Sequence, residues 1–267
     1  MALKNIVLRF PELAYSLQNT MLVRNLSKIM SIEGHTDEIT GICKVKDFWV
    51  SVSLDKTVRF IRVNWDEEKF TKEYEVVHKK KITSICGNDD AVFIGDKTGE
   101  VWRIVLGGLQ SGGVDNLDCC SFYIGHQASI EKLWCYNSYL ISSDCEWKIK
   151  VTQIQSYGII ESILLGHTSK IVSSLLQKGE LLSCDESGVL KFWDSHRELA
   201  SMKLNEPIDL YLFGEHILGI SKTQTFYIDQ KLKQVIPIHT APVCVDYPHA
   251  SLINPESFTE IKLNFPQ

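Results

Sequence analysis

Four histidines offer the first candidates for chemistry. His35, His78, His126 and His167 recur along the chain, and the pair Ser183-Cys184 follows the last of them. Histidine beside serine or cysteine can build an acyl-transfer site, because imidazole takes the proton that the attacking oxygen or sulfur must lose. The surrounding pattern points elsewhere. No G-x-S-x-G turn presents a serine, and Ser183 lies in what reads as an ordinary strand and turn. A second candidate is the glycine-rich run from Leu106 to Asp115, LGGLQSGGVD. It invites a nucleotide or S-adenosylmethionine loop. Its spacing is neither G-x-G-x-x-G nor G-x-x-x-x-G-K-[ST], and no βαβ unit surrounds it, so an inter-strand loop is expected. The 8 cysteines include no C-x-x-C pair and no Cys/His cluster with zinc spacing, which makes them structural thiols of a reducing compartment. No catalytic, cofactor-binding or metal-ligating residue is expected in the chain.

Two charged stretches remain. Lys79-Lys80-Lys81 is the sharpest charge run. It could contact RNA phosphates or form part of a nuclear import signal, or it could be a solvated loop. The stretch Asp144-Cys145-Glu146-Trp147-Lys148-Ile149-Lys150 puts a large aromatic among charges in a turn. Lys150 alternates with inward Ile149 and Val151, so it should point out along its strand. An exposed aromatic inside a polar rim is the composition of an interface anchor. Trp147, Lys148 and Lys150 are therefore the candidate partner-binding residues.

The elements that must position these residues are strands. ITGICKV, FWVSVS, TVRFIRV, ITSICGN, AVFIG and EVWRIVL are short runs rich in Val, Ile and aromatics, separated by Asp, Asn and Gly turns. The four histidines are spaced by 43, 48 and 41 residues, three of them as Gly-His. This brackets the roughly 40–45 residue period of WD-repeat propeller blades, four strands each. The fold expected is an all-β WD-repeat β-propeller in a single domain, residues 1–267. Blades are placed at 1–33, 34–77, 78–124, 125–165, 166–206, 207–238 and 239–267, seven in all, with the N-terminal strand closing the ring. Closure removes unpaired strand edges. In the full repeat a histidine bonds to an aspartate in a later turn. The expected repeat residues are His35 with Asp55, His78, His126 with Glu146 in the aspartate position, His167, and Trp193 of the one clear Trp-Asp. Turns Asp96–Val101 and Asp185–Leu190 are a residue longer and carry glycine, so not every blade is expected to hold the network.

Bulk properties bound the function. At 267 residues and 44% hydrophobic content the chain can bury a substantial core. A net charge of −5 makes a poor unaided nucleic-acid binder, since nonspecific affinity comes from Lys and Arg neutralising phosphates. No run approaches the 18 or so apolar residues of a membrane span. The N-terminus lacks the apolar centre of a secretory signal.

On these residues the chain resembles the non-catalytic WD-repeat subunit of the tRNA (guanine-N7) methyltransferase. The family's blade reads approximately D-R-D-x-x-I-[KR]-[VI]-S, then L-G-H, then L-L-S and L-x-x-W. Here the matching strings are Asp144 to Thr152, Ile160-Glu161-Ser162, Leu165-Gly166-His167, Leu181-Leu182-Ser183 and Leu190 to Trp193. Upstream, Gly95-Asp96-Lys97-Thr98-Gly99-Glu100-Val101 matches A-D-K-[ST]-G-[DE]-V. The match is good over 82–204. Cys145, Glu146 and Thr152 stand where the family has Arg, Asp and Ser. The resemblance implies a non-catalytic scaffold that binds and stabilises or activates a separate methyltransferase subunit in a heterodimer. That partner would bind S-adenosylmethionine and form N7-methylguanine in the variable loop of tRNA. It implies that Lys150 pairs with an acidic residue of the partner, with Lys148 in support, that tRNA is met mainly through the partner, and that the chain works in the nucleus and also the cytoplasm. The alternatives are a generic WD-repeat adaptor of another assembly, or a propeller that contacts RNA itself.

Overall fold

The computed structural model describes residues 4–9, 12–25, 27–108, 120–136, 138–155, 158–194, 197–213, 216–239, 244–246, 251–253 and 260–261. Among the described residues, apart from one short 3-10 turn at Leu106–Gly108, the regular structure is strand, arranged as seven sheets of sequential hairpins. The first holds β1 (Lys4–Arg9), β2 (Glu12–Leu17), β3 (Thr20–Arg24) and β4 (Ile29–Ile32). The second holds β5 (Ile39–Val45), β6 (Phe48–Ser53), β7 (Thr57–Asn64) and β8 (Lys69–Val77). The third holds β9 (Ile82–Gly87), β10 (Ala91–Asp96), β11 (Glu100–Val105) and β12 (Cys120–Gly125). The fourth holds β13 (Ile130–Tyr136), β14 (Tyr139–Asp144), β15 (Ile149–Gln153) and β16 (Ile159–Leu164). The fifth holds β17 (Ile171–Gln177), β18 (Glu180–Asp185), β19 (Val189–Trp193) and β20 (Glu198–Lys203). The sixth holds β21 (Asp209–Phe213), β22 (His216–Ile220), β23 (Thr225–Asp229) and β24 (Gln234–His239), and the last β25 (Cys244–Asp246), β26 (Ser251–Ile253) and β27 (Glu260–Ile261).

The strands follow from the sequence. The second strand of each patterned sheet is a continuous apolar or small-residue run and is buried almost throughout, as in β6, β10, β14 and β18. Such a run needs cover on both faces. The fourth strands β8, β16 and β20 are polar or mixed and largely exposed. The second, fourth and fifth sheets thus run from a dry second strand to a wet outer one. Neighbouring sheets meet through their first strands: β5 packs on β9 and β9 on β13 in one compact unit, and β17 packs on β21 in the other. The packing leaves no slack. A Cβ on Gly95 would sit 2.4 Å from Ile130 Cγ2.

Four sheets repeat one detail. Ile39, Ile82, Ile130 and Ile171 open their first strands opposite Ser53, Asp96, Asp144 and Asp185, and the register shifts there in every case. The shift bends the strand end and sets the following turn beside the histidine of the preceding loop.

One expectation about the ends is corrected. The N-terminal strand β1 pairs with β2 in the first sheet and does not complete the last one, where three strands are described. Pairing with the next strand in sequence closes a short loop at small entropic cost, whereas pairing with the chain's far end closes the longest loop available. The glycine-rich stretch lies outside the described residues from 109 onward.

Candidate functional site

All four histidines are paired with an aspartate. His35 Nδ1 is 2.9 Å from Asp55 Oδ2, His78 Nε2 is 2.9 Å from Asp96 Oδ2, and His126 and His167 reach Asp144 and Asp185 through Nδ1 at 2.9 Å. In three of them the other ring nitrogen meets a serine of the second strand: Ser51 at 2.9 Å, Ser142 at 2.8 Å and Ser183 at 2.7 Å. In the fifth sheet the Trp193 indole N–H donates to Ser183 Oγ at 2.7 Å. The chain of donors there is fixed by chemistry. Trp193 can only donate and ionised Asp185 can only accept, so Ser183 gives its proton to His167 Nε2 and His167 Nδ1–H gives to Asp185. Burial pushes the His167 imidazole below its ordinary range, outweighing the pull of Asp185, and the same holds for His35. The neutral ring suits the network.

These are the atoms of a hydrolytic triad without its access. Ser183, Asp185 and Ser142 are fully buried, His167 and His126 nearly so, and Trp193 covers the serine. A nucleophile needs a substrate within reach. The network ties loop, strand and turn together.

Glu146 is not part of it, which corrects the aspartate-position assignment. His126 takes Asp144, and Glu146 is exposed, its carboxylate 2.5 Å from Lys148 Nζ. The signal was present in the spacing. His78–Asp96, His126–Asp144 and His167–Asp185 are each 18 residues apart, and only His35–Asp55 uses 20. The turns are not longer in these sheets: Ser53, Asp96, Asp144 and Asp185 all face the isoleucine that opens their sheet, so the later sheets carry the acid at the strand end, where the second sheet has Ser53. The third and fifth sheets keep the His–Asp bond despite the glycine in their turns, and Asp96 and Asp185 also cap those turns through Thr98 and Ser187.

The turn that follows Asp144 puts a bulky residue at a position that is left-handed in its sisters too, where the second sheet has Lys56 (φ 74°), three past Ser53. Three residues past the paired aspartate, the third and fifth sheets place Gly99 (φ 91°) and Gly188 (φ 86°). The fourth sheet places Trp147 there, at φ 66° and 39% exposed. A bulky side chain in left-handed backbone is rare, since its Cβ crowds the carbonyl. Lys148 and Lys150 are half-buried beside it, Lys150 between buried Ile149 and Val151. Lys79, Lys80 and Lys81 are exposed at the start of the third sheet. Among the cysteines, Cys86 and Cys184 are buried, Cys145 is exposed, and Cys86 Sγ lies 3.0 Å from Cys135 Sγ across the β9–β13 contact. Among the described residues, no three His, Cys, Asp or Glu side chains gather as a metal site, and no helix is long and apolar enough to cross a membrane.

With this geometry in hand, comparison with known proteins is informative. The family described as "WD domain, G-beta repeat" matches residues 26–62 and 158–194. The tRNA (guanine-N(7)-)-methyltransferase non-catalytic subunit wdr4 of Dictyostelium discoideum is 28% identical over 207 residues, covering 68% of this chain and 44% of that protein. The tRNA (guanine-N(7)-)-methyltransferase non-catalytic subunit TRM82 of Lodderomyces elongisporus is 23% identical over 198 residues, covering 70% and 50%. The chain therefore spans about half the length of the curated relatives it matches. Among solved structures, the computationally designed Ika8 protein superimposes with a TM-score of 0.70 at 16% identity, over 98% of this chain and 86% of that one. The WD40 beta propeller domain of Doa1 superimposes with a TM-score of 0.67 at 15% identity, over 87% and 83%. The chain is thus a WD-repeat protein of the β-propeller fold, and its curated likeness is to the non-catalytic subunits of tRNA (guanine-N(7)-)-methyltransferase.

Proposed function

We propose that the chain is the non-enzymatic scaffold of a tRNA (guanine-N7) methyltransferase, and that it docks its catalytic partner as a heterodimer through the turn Trp147–Lys150. The partner binds S-adenosylmethionine, carries the methyl transfer to the variable-loop guanine, and makes most of the contact with tRNA. The scaffold acts by linkage: if it binds only the active conformation of the catalytic subunit, it shifts that subunit towards activity and stabilises it. The nucleus, and also the cytoplasm, is where such a complex would work.

The observation that carries the docking site is Trp147. Its left-handed backbone costs about 1–2 kcal/mol where two sister turns use glycine. The turn requires the left-handed backbone but not an indole, so a large aromatic kept there at an exposed position supports a role outside the fold. Lys148 and Lys150 supply cationic charge beside the indole, which fits an acidic rim on the partner. The buried His–Asp pairs, in contrast, are spent on the fold.

The test is Lys150→Glu. The variant is expected to melt within a few degrees of the parent and to lose at least tenfold in affinity for the catalytic subunit by calorimetry. Equal affinity would remove Lys150 from the interface. Affinity capture that returns no methyltransferase at all would favour the generic adaptor.

A further inference from the structure

The third and fourth sheets meet through β9 and β13, by two side-chain contacts in one register. Leu133 N–H of β13 donates to Ser84 Oγ of β9 at 3.0 Å. Two residues further along both strands, Cys86 Sγ lies 3.0 Å from Cys135 Sγ. Both contacts join residues 49 apart in sequence. The strands therefore run side by side, and their alternation brings Ser84 and Cys86 to one face of β9. A backbone N–H that reaches a serine hydroxyl holds two strands about as close as a disulfide needs, so neither has to move far for the sulfurs to bond. The sulfurs stand about 1 Å beyond the bond length of roughly 2.0 Å.

The fold does not need sulfur at this joint. Between β17 and β21 the same serine contact recurs, Leu210 N–H donating to Ser173 Oγ at 2.9 Å, and the residues two further along are Leu175 and Leu212. Between β5 and β9 the matching positions are Cys43 and Gly87. The two thiols also differ in access. Cys86 is 8% exposed within the apolar core, and Cys135 is half-buried against that core. Burial, with the neighbouring Cys135 and Cys43 thiols, pushes Cys86 well above the ordinary thiol range and keeps it protonated. A small oxidant thus reaches Cys135 first, with Cys86 beside it to resolve the product.

We propose that Cys86 and Cys135 form a site of oxidative modification, at which a hydroperoxide converts the two thiols into a disulfide that ties the third sheet to the fourth. The site works whether or not the chain holds a methyltransferase. Cys135, as its thiolate, attacks the peroxide: an S–O bond forms, the O–O bond breaks, and the leaving oxygen takes the proton of the thiol as alcohol, or as water from hydrogen peroxide. The Cys86 sulfur then attacks the sulfenic sulfur of Cys135. The S–S bond forms, the S–O bond breaks, and hydroxide leaves with the Cys86 proton as water. The two thiols lose two electrons and the peroxide gains them. A dithiol reductant reopens the bond by exchange. Closure spans 49 residues, which restricts the unfolded chain and stabilises the folded one.

The experiment treats the reduced full chain with hydrogen peroxide, blocks the remaining thiols by alkylation, and maps the unreduced digest by mass spectrometry. Peptides joined through Cys86 and Cys135 are expected as the leading cross-link. The oxidised chain should melt about 4 °C or more above the reduced one, and dithiothreitol should return it to the starting value. Cys86→Ser should stop at the sulfenic acid, with Cys135 trapped by dimedone and the melting temperature unmoved by peroxide. Cys145→Ser removes an exposed thiol and should cross-link as the parent does. Recovery of Cys86 and Cys135 as alkylated thiols after the treatment would overturn the proposal. So would a leading cross-link through Cys43, or a Cys135 that passes to sulfinic acid while Cys86 stays reduced beside it. The map of the parent decides these outcomes even where a variant does not fold.

Discussion

Trp147 is the residue at which local preference and observed backbone disagree most. Asp144 to Ile149 folds as its sister turns do, with the paired aspartate at the strand end and a left-handed residue three positions on. Only the side chain differs. Replacing Trp147 by glycine should therefore relieve the Cβ crowding. After allowing for glycine's greater freedom in the unfolded chain, the net effect is a gain of about 1 kcal/mol. The same change deletes the proposed anchor, and loss of a central aromatic typically costs about 2 kcal/mol or more in binding. Trp147→Gly is thus expected to raise the denaturation midpoint while weakening capture of the catalytic subunit. A variant that is less stable, or that binds as well as the parent, would show that the indole is held by packing and not for a partner.

At the level of strands and turns, much was legible and some was not. The histidine spacing and the Val/Ile-rich runs locate the sheets, because period and burial are local properties of sequence. The blade limits 34–77, 125–165 and 166–206 each enclose one four-stranded sheet, and 78–124 misses its last strand by the single residue Gly125. Motif matching pairs His126 with Glu146 because it aligns Glu146 with Asp55, whereas the acid that bonds is Asp144, aligned in register with Ser53 at the strand end. What no motif announces is the joint between the first two sheets. Glu12 of β2 accepts from Lys44 of β5 at 2.5 Å, from the Trp49 indole of β6 at 2.9 Å, and from the Trp65 indole at 2.5 Å. Its partners lie 32 to 53 residues away, so no window of sequence contains them. Burial alone would raise this carboxyl, but the lysine and the two indoles outweigh it and hold it below the usual range. Glu12→Ala leaves two indole N–H groups and an ammonium without their acceptor. It should cost on the order of 2–3 kcal/mol, a hydrogen-bonded charge being worth more than a neutral contact. Chemical denaturation would register this as a lower midpoint at unchanged slope. A midpoint within experimental error of the parent would mean that water replaces the carboxylate.

Taken over the whole molecule, the buried titratable groups bracket a pH range. His35 and His167 are held neutral by burial, below the ordinary value of 6.5. The unfolded chain binds protons at these sites before the folded one does, so stability is complete above about pH 6.5 and declines as pH falls towards the folded values. Asp55, lowered to about 2, and Asp96, Asp185 and Glu12, lowered in direction, extend the decline at still lower pH, as the unfolded carboxylates protonate first. On the alkaline side burial raises the Cys184 thiol from 9.0 to about 11 and pushes Cys86 up as well. There the unfolded thiols release protons first, and stability is lost as pH rises past 9. Two pKa units correspond to about 2.7 kcal/mol, the ceiling of the Cys184 contribution. The melting temperature should therefore show a plateau between about pH 6.5 and 9, above the isoelectric point of 5.9. Thermal melts of the parent and of Cys184→Ala test this directly. The variant will melt lower throughout because it leaves a cavity, but its curve should be flatter above pH 9. A parent maximum at the isoelectric point would mean that net charge, and not the buried histidines and thiols, governs stability. An alkaline limb unchanged in Cys184→Ala would remove that thiol from the account and leave Cys86 as its source.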